Sequence, residues 1–353
     1  MNKTLLAAAI AFACTLGGTA AHALEPGETS VGGLGFFDVT NVDEKASGTK
    51  TDASGTGIDV KRFYAIIAHQ FDKRWSANLT TDFNYVSNDS ETQLFVKKAY
   101  FEGKFSDAFT LRFGSADVPL VPFVEGLYGN RYIENVIVEH VGIEPSADWG
   151  VHTLGAFAKG KAHYAVSAIT GNGYKNPTRS QGLDLDSRID FEPVDGLTFA
   201  LFYRTGKRGL DKPSVTTYHN ASRTEILAAY VKPKFRVGAE IFQTDNWNQV
   251  LTTQTDSQDG HSIWGTYVIN AKKNVSLFAR VDSAKMSKDL APALESKYYN
   301  LGVSFVPVTN VTLAFVAKHD QVDNGTVKTT NGTLGGTPDG THNEIGMWAM
   351  VRF

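Results

Sequence analysis

The sequence predicts an all-β protein that closes into a transmembrane antiparallel β-barrel of about sixteen strands, with the third external loop folded inward. Three observations support this fold class. The chain begins with an export signal, apolar and polar residues alternate along most of its length, and short turns alternate with longer polar connections.

The first 23 residues have the layout of a secretory signal peptide. Lys3 supplies the positive charge, an apolar stretch follows from about Leu5 to Leu16, and Ala21-His22-Ala23 forms an A-x-A cleavage pattern. The apolar run is short for a membrane helix, so an uncleaved anchor is the less favoured alternative. We expect residues 1–23 to be removed and residues 24–353 to form one barrel domain in the bacterial outer membrane.

The composition excludes several functions. Cys14 is the only cysteine and lies in the signal, so the mature chain has no thiol for disulfides, metal ligation or nucleophilic catalysis. The formal net charge of −3, one unit more negative without Lys3, provides no electrostatic footprint for nucleic acid. The histidines lack metal-ligand spacing, no G-x-S-x-G motif occurs, and the adjacent pair His319-Asp320 is expected to be ordinary surface. We therefore expect no metal, no cofactor and no enzymatic activity.

Short turns and longer polar connections alternate along the mature chain. The short turns, rich in Gly, Pro, Asn, Asp and Lys as tight reversals require, lie at 72–74, 106–108, 159–161, 193–196, 232–234, 271–274 and 307–310. Longer connections fall near 43–57, 87–91, 117–147, 171–182, 205–222, 244–260, 283–296 and 319–342. Seven turns join fourteen strands, and outer strands from about Val31 to Val42 and from about Glu344 to Phe353 make sixteen. Short connections at one rim and long ones at the other are typical of outer-membrane barrels.

Alternation with a period of two places apolar and polar residues on opposite faces of the strands. One face of the eighth strand carries Leu183, Leu185, Ile189 and Phe191, and one face of the fourth carries Phe95, Ala99, Phe101 and Phe105. A soluble β-sandwich also alternates, but charges along whole strands favour a water-filled lumen. Aromatic residues beside the short turns predict an interfacial girdle: Phe71, Trp75, Phe105, Phe109, Phe191, Phe199, Phe235, Phe305 and Phe353.

Several segments resemble the phosphate-selective porin O and P family and its relatives. They are Val60–Tyr64, Leu111–Gly114 followed by Pro119, Ile169–Gly173 and Phe278–Asp282. The last strand, which ends at Phe353 with apolar residues at every second position, resembles the insertion signature of Gram-negative outer-membrane proteins. The resemblance implies a homotrimeric porin for passive diffusion of small hydrophilic solutes and ions, with anions such as phosphate among them. An adhesin or receptor that acts through the long external loops is the alternative.

The connection from Asp117 to Ala147 is the longest and is rich in apolar residues. Loops of this length are usually functional, so we expect this one to fold into the lumen and narrow it, as the resemblance implies, instead of capping the barrel or packing on a neighbouring subunit. The predicted pore-lining residues are Arg62, Lys98, Arg112, Arg188, Arg236, Arg280 and Asp82 on the wall, and Glu125, Arg131 and Glu134 on the loop.

The charges of these residues leave two interpretations of selectivity open. The wall arginines could bind anions through bidentate contacts, or they could pair with neighbouring acids, as the spacing of Arg188 and Asp190 indicates. The loop carries four glutamates against Arg131 alone. A basic wall opposite an acidic loop favours a transverse field with weak ion preference over strict anion selectivity.

Overall fold

The computed structural model describes residues 24–85, 93–270 and 274–353. Within these ranges, sixteen long antiparallel strands form one sheet, and the first strand also pairs with the last, with Val39 opposite Met347. The predicted closed barrel is therefore confirmed. The strands are β1 (Thr29–Ala46), β2 (Gly55–Gln70), β3 (Trp75–Tyr85), β4 (Gln93–Ser106), β5 (Phe109–Asp117), β6 (Ala147–Phe157), β7 (Ala162–Ile169), β8 (Asp184–Val194), β9 (Leu197–Gly206), β10 (Ala221–Lys232), β11 (Phe235–Asp245), β12 (Ser257–Asn270), β13 (Val275–Lys285), β14 (Glu295–Val308), β15 (Val311–Thr329) and β16 (Gly332–Arg352).

Smaller elements lie in the connections. A two-residue strand, Thr49–Lys50, pairs with the end of β1. Two short helices, α1 (Val121–Tyr128) and α2 (Ile137–His140), lie between β5 and β6. No helix in the described part of the chain is long and apolar enough to cross a bilayer. The predicted signal peptide and the predicted connection at 87–91 lie outside the described residues.

The predicted short turns join neighbouring strands wherever the chain is described. Between β2 and β3, the carboxylate of Asp72 accepts hydrogen bonds from the backbone N–H groups of Arg74 (2.7 Å) and Trp75 (2.8 Å), which closes the reversal. Between β14 and β15, Asn310 adopts a left-handed conformation with φ of 71°, which asparagine tolerates better than most residues. The turn predicted at 271–274 lies outside the described residues except for Asn274.

The prediction of a long connection at 319–342 is wrong. β15 continues to Thr329 and β16 begins at Gly332, so two residues join the strands. Their pairing extends as far as Thr329 opposite Gly332, with one irregularity between Asp323 and Gly325. The glycine and threonine content of this segment indicates a loop, but cross-strand pairing satisfies its backbone and overrides that weak propensity. The last strand is accordingly much longer than predicted.

The polarity of the sheet is the inverse of that in a water-soluble protein. In β8, Asp184 and Asp186 are 2% and 0% exposed, whereas Leu185 and Ile189 on the opposite face are 46% and 52% exposed. The same inversion recurs around the barrel. Because one continuous sheet encloses the polar face, the structure excludes a two-sheet sandwich.

The predicted aromatic residues lie on the outer face beside the short turns, where several contact one another. Trp75 stacks on Phe101 with ring centroids 4.9 Å apart, and Phe191 stacks on Phe199 at 5.4 Å. Phe353 packs against Phe63 at 5.8 Å. Aromatic side chains in this position suit the boundary between hydrocarbon and water.

Two β-bulges change the face to which nearby residues point. The register skips Lys61 where β2 pairs with β1, and it skips Lys97 where β4 pairs with β3. Before the second bulge Val96 is exposed, and after it Phe101 is exposed, so the alternation changes parity. The predicted grouping of Phe95 with Phe101 is therefore wrong, because an inserted residue moves every later side chain to the other face.

Because the exposed face is apolar, we expect the loss of stability caused by an introduced charge to depend strongly on its depth in the membrane. Ile241, near the middle of β11, is 65% exposed on this face. We expect Ile241→Arg to reduce the free energy of unfolding by roughly 2–4 kcal/mol, because its guanidinium would enter hydrocarbon. Gln243→Arg, on the same face near the strand end, should cost about 0–1 kcal/mol. Reversible denaturant unfolding in lipid vesicles measures both values, and equal costs would contradict a lipid-facing band.

Candidate functional site

The connection between β5 and β6, residues 118–146, contacts the inner wall of the barrel from β8 to β15. We refer to it as the β5–β6 segment. From residue 119 to residue 130 its contacts follow the order of the strands: Pro119 with Arg188 of β8, Phe123 with Phe202 of β9, Gly126 with Arg236 of β11, and Asn130 with Thr266 of β12. Beyond them, Glu134 contacts Lys318 of β15 and Asn135 contacts Arg280 of β13. The predicted boundaries of this connection are confirmed, since β5 ends at Asp117 and β6 begins at Ala147.

The apolar residues of the β5–β6 segment pack against this wall. Phe123 of α1 meets Phe202 edge-on at 5.8 Å, and Tyr128 meets Trp264 at 5.7 Å. A fully buried side chain of this size contributes roughly 1.5–3 kcal/mol. α1 ends at Tyr128 and is capped by Gly129, whose φ of 81° suits glycine, and a Cβ there would lie 2.7 Å from a guanidinium nitrogen of Arg236. Packing and backbone geometry together hold the segment against the sheet.

A buried ionic cluster anchors the end of the β5–β6 segment. Glu144 accepts hydrogen bonds from Arg204 of β9 at 2.6 Å and from Arg223 of β10. Arg204 also donates to Asp184 at 2.8 Å, and Arg223 donates to Asp186 at 3.1 Å. The side chains of all five residues are at most 3% exposed. Buried charges require such paired, hydrogen-bonded surroundings because each would otherwise lose its hydration without compensation.

A second cluster surrounds His140 at the end of α2. Its Nε2 lies 3.0 Å from Asp320 and its Nδ1 lies 3.4 Å from Glu134. Burial alone would lower the pKa of His140, but the carboxylates of Asp320 and Glu134 outweigh it and raise the pKa to about 10. The imidazolium therefore binds the segment to β15. His319, by contrast, contacts Asn343 at 2.7 Å in an exposed position. The expectation that the pair His319-Asp320 is ordinary surface is therefore wrong for Asp320, which is 1% exposed because it points inward to His140.

Most of the predicted wall cations are paired with nearby acids. The pairs are Arg62 with Asp82 (3.7 Å), Lys98 with Asp117 (2.6 Å), Arg112 with Glu102 (2.6 Å), Arg188 with Asp190 (2.8 Å) and Arg280 with Asp282 (2.9 Å). On the β5–β6 segment, Glu125 pairs with Arg131, and Glu134 lies 3.5 Å from Lys318. These contacts neutralise charge locally on both the wall and the segment.

Arg236 differs from the other predicted cations. It donates hydrogen bonds to the carbonyl oxygens of Gly126 (3.1 Å) and Leu127 (3.3 Å), and no carboxylate of the described residues lies within 4.0 Å of it. It lines a cavity between the β5–β6 segment and the wall together with Lys97 and Arg352. Two further predicted cations, Lys98 and Arg131, also line the cavity. Of the three lining cations without a described acid partner, Arg236 was predicted and Lys97 and Arg352 were not.

Signals for the missed residues are present in the sequence. Lys97-Lys98, like Lys61-Arg62, places two basic residues side by side in an alternating strand, and a bulge is what turns both toward the lumen. The inward position of Arg352 follows from the alternation of the last strand. Arg223 lies just beyond the connection predicted at 205–222, where the strand boundary hid its inward position.

The backbone is similar to those of solved outer-membrane proteins. An anion-selective porin from Comamonas acidovorans is 11% identical with a TM-score of 0.68, covering 93% of this chain and 100% of that one. The outer membrane channel DcaP of Acinetobacter baumannii is 12% identical with a TM-score of 0.63, covering 93% and 98%. OmpT, an outer membrane protein of Vibrio cholerae in its trimer form, is 10% identical with a TM-score of 0.63, covering 93% and 100%. At these identities the similarity establishes a porin-type barrel fold.

No model of a known protein family matches the sequence, and no curated protein sequence matches it. The resemblance to the phosphate-selective porin O and P family therefore rests on the short segments that suggested it. What the chain shares with the porins above is the closed sixteen-stranded fold.

The ionic cluster around Glu144 predicts a stability effect. Glu144→Gln would leave Arg204 and Arg223 buried with too little negative charge, so the free energy of unfolding should fall by roughly 3–5 kcal/mol. Asp259→Asn is the matched control, because Asp259 and its partner Lys288 are 39% and 37% exposed, and exposed pairs contribute about 1 kcal/mol or less. Urea unfolding in lipid vesicles measures both. Equal losses would contradict the anchoring role of Glu144.

The His140 cluster predicts a pH dependence. Because the folded-state pKa is raised from 6.5 to about 10, the stabilisation is complete below about pH 6.5 and disappears as the pH rises toward 10. The difference in urea midpoint between the wild type and His140→Gln should therefore shrink over that range. Groups that titrate in both proteins cancel in the difference. A difference independent of pH would show that His140 carries no charge in the folded state.

Proposed function

We propose that the protein forms a water-filled channel in the outer membrane of a Gram-negative bacterium, through which small hydrophilic solutes and ions diffuse passively. The observation that carries the proposal is the inverted polarity of a closed barrel, with buried charges inside and an apolar band outside. Lipid requires a closed sheet, since an open edge would leave backbone groups unpaired in hydrocarbon. Fold similarity to an anion-selective porin and an outer membrane channel supports it.

The β5–β6 segment is the proposed constriction. It is anchored to inner-face residues from β8 to β15 and returns to Arg204 and Arg223 through Glu144. A segment attached along this course leaves less of the lumen cross-section to solutes. The predicted external loop would then act from inside the barrel, where width and charge set permeability.

The proposed selectivity is a moderate preference for anions. The carboxylates of the β5–β6 segment have cationic partners, which reduces the transverse field that the sequence favours. Lys97, Arg236 and Arg352 face the cavity with no described carboxylate within 4.0 Å. A surplus of fixed positive charge beside the pathway attracts anions. Specificity for phosphate, which the family resemblance implies, has less support because Arg112, Arg188 and Arg280 are engaged by acids.

The assembly is proposed to be a homotrimer that lies in outer-membrane lipid after removal of residues 1–23. The trimer follows from the family resemblance, and OmpT of Vibrio cholerae has a trimer form. The lipid contact follows from the exposed apolar residues of the outer face.

Planar-bilayer recording of the refolded protein tests the function. We expect stable conductance steps and, in a potassium chloride gradient, a reversal potential of the sign that marks chloride as the more permeant ion. A cation-selective reversal potential would reject the anion preference while leaving the channel intact. Absence of conductance from a folded barrel would reject the channel and favour an adhesin or receptor.

Shortening the β5–β6 segment tests the constriction. Deletion of residues 126–135 should increase the single-channel conductance, because the lumen cross-section beside the segment widens. Deletion of residues 213–218, an exposed part of the connection between β9 and β10, is the control and should leave the conductance unchanged. Circular dichroism checks that each barrel forms. Unchanged conductance in a folded 126–135 deletion would mean that the segment does not limit the pore.

A further inference from the structure

The cavity between the β5–β6 segment and the wall has the dimensions of a small-molecule site. Its volume is about 370 Å³, within the range of roughly 300–1,000 Å³ that such sites occupy. Strands from distant parts of the barrel contribute to it, since Leu34 and Arg352 come from β1 and β16, Lys97 from β4 and Arg236 from β11. A solute in this cavity would touch the segment and the wall at once.

Three cations of the cavity are not neutralised by the described residues. The Nζ atom of Lys97 lies 3.2 Å from the hydroxyl of Tyr64, and Arg236 is bonded to main-chain carbonyls of the segment. The Nε atom of Arg352 is buried without a hydrogen-bond partner. None of the three has a described carboxylate within 4.0 Å. The cavity therefore offers cationic donors whose charge is left for a ligand.

Other charges that line the cavity cancel one another. Lys98 lies 2.6 Å from Asp117, and Arg131 pairs with Glu125. The net charge of the lining is therefore positive. A cationic solute would be repelled by the three remaining cations, and a neutral one would gain only weaker hydrogen bonds, whereas an anion would replace lost hydration with charge-assisted hydrogen bonds.

The surface between these cations is apolar and aromatic. Phe36 meets Tyr64 edge-on at 6.2 Å and Tyr132 at 6.5 Å, and Leu34 and Met350 complete this side of the cavity. A hydrated inorganic anion gains little from such a surface. An organic anion with an aromatic body can bury apolar area and place its ring against other rings while its carboxylate meets the cations.

We propose that this cavity binds small aromatic monocarboxylates, with the carboxylate held by Lys97, Arg236 and Arg352 and the ring held against Phe36 and Tyr132. The inference rests on the proposed channel function and deepens it. Binding at such a site slows the passage of the bound solute and obstructs other ions while it stays. The site would therefore distinguish solutes by how long they stay bound as well as by their charge.

Benzoate block of the open channel tests the proposal. Benzoate, acetate, inorganic phosphate and the neutral isostere benzamide are each added to a channel recorded in potassium chloride. We expect benzoate to reduce the current with a half-blocking concentration about tenfold below those of acetate and phosphate, a ratio equivalent to about 1.4 kcal/mol. Benzamide should not block. Equal block by the three anions would overturn the aromatic part of the proposal, and block by benzamide would overturn the role of charge.

Variants assign the effect to the site. Arg236→Gln and Lys97→Met should each raise the half-blocking concentration of benzoate by about tenfold, the loss expected for one charge-assisted hydrogen bond. Lys97→Arg should retain block. Lys285→Gln, which removes an exposed charge at the outer end of β13, should leave the block as in the wild type. Block that is unchanged in both Arg236→Gln and Lys97→Met would place the binding elsewhere.

The two proposals fail in different ways. A folded barrel without conductance rejects the channel. A conducting barrel in which benzoate blocks no better than acetate rejects the aromatic site and leaves the channel standing.

Discussion

The pairing of β1 with β16 is the constraint on which the rest of the structure depends. Once Val39 lies opposite Met347, each wall strand has two neighbours and no edge remains to expose unpaired backbone groups. A closed sheet has only an inside and an outside, so the period of two sorts side chains between them. Every charge on the inner face then lies in a confined space, and the contacts of the β5–β6 segment with inner-face residues are both apolar and ionic.

The period of two explains why so much of the fold could be predicted from the sequence. Alternation and turn residues are local signals, and they located the barrel and the short turns. They failed where pairing is decided by a partner strand. The glycine-rich ends of β15 and β16 form a long hairpin because each satisfies the backbone of the other. The bulges at Lys61 and Lys97 shift the alternation by one residue, and a strict period of two does not predict them.

The candidate site was less predictable because its contacts join residues far apart in sequence. Wall pairs two positions apart, such as Arg188 with Asp190, follow from alternation. The contacts of Glu144 with Arg204 and Arg223 do not, because they depend on the path of the β5–β6 segment across the barrel. No local pattern in the sequence specifies that path. Its apolar residues indicate burial, and only the assembled wall determines which strand each of them meets.

The distribution of paired and unpaired cations bears on function. In a confined lumen a cation without a counter-charge costs free energy, so pairing is the expected outcome, and most wall arginines follow it. Lys97, Arg236 and Arg352 depart from it within one cavity. Apolar residues in place of Lys97 and Arg352 would suit a purely structural wall better. Arg236 also holds the segment through the carbonyl oxygens of Gly126 and Leu127, so its charge can serve both the packing of the segment and a ligand. The joint position of the three cations beside Phe36 and Tyr132, where the segment and the wall face each other, is what a site for a charged aromatic solute requires.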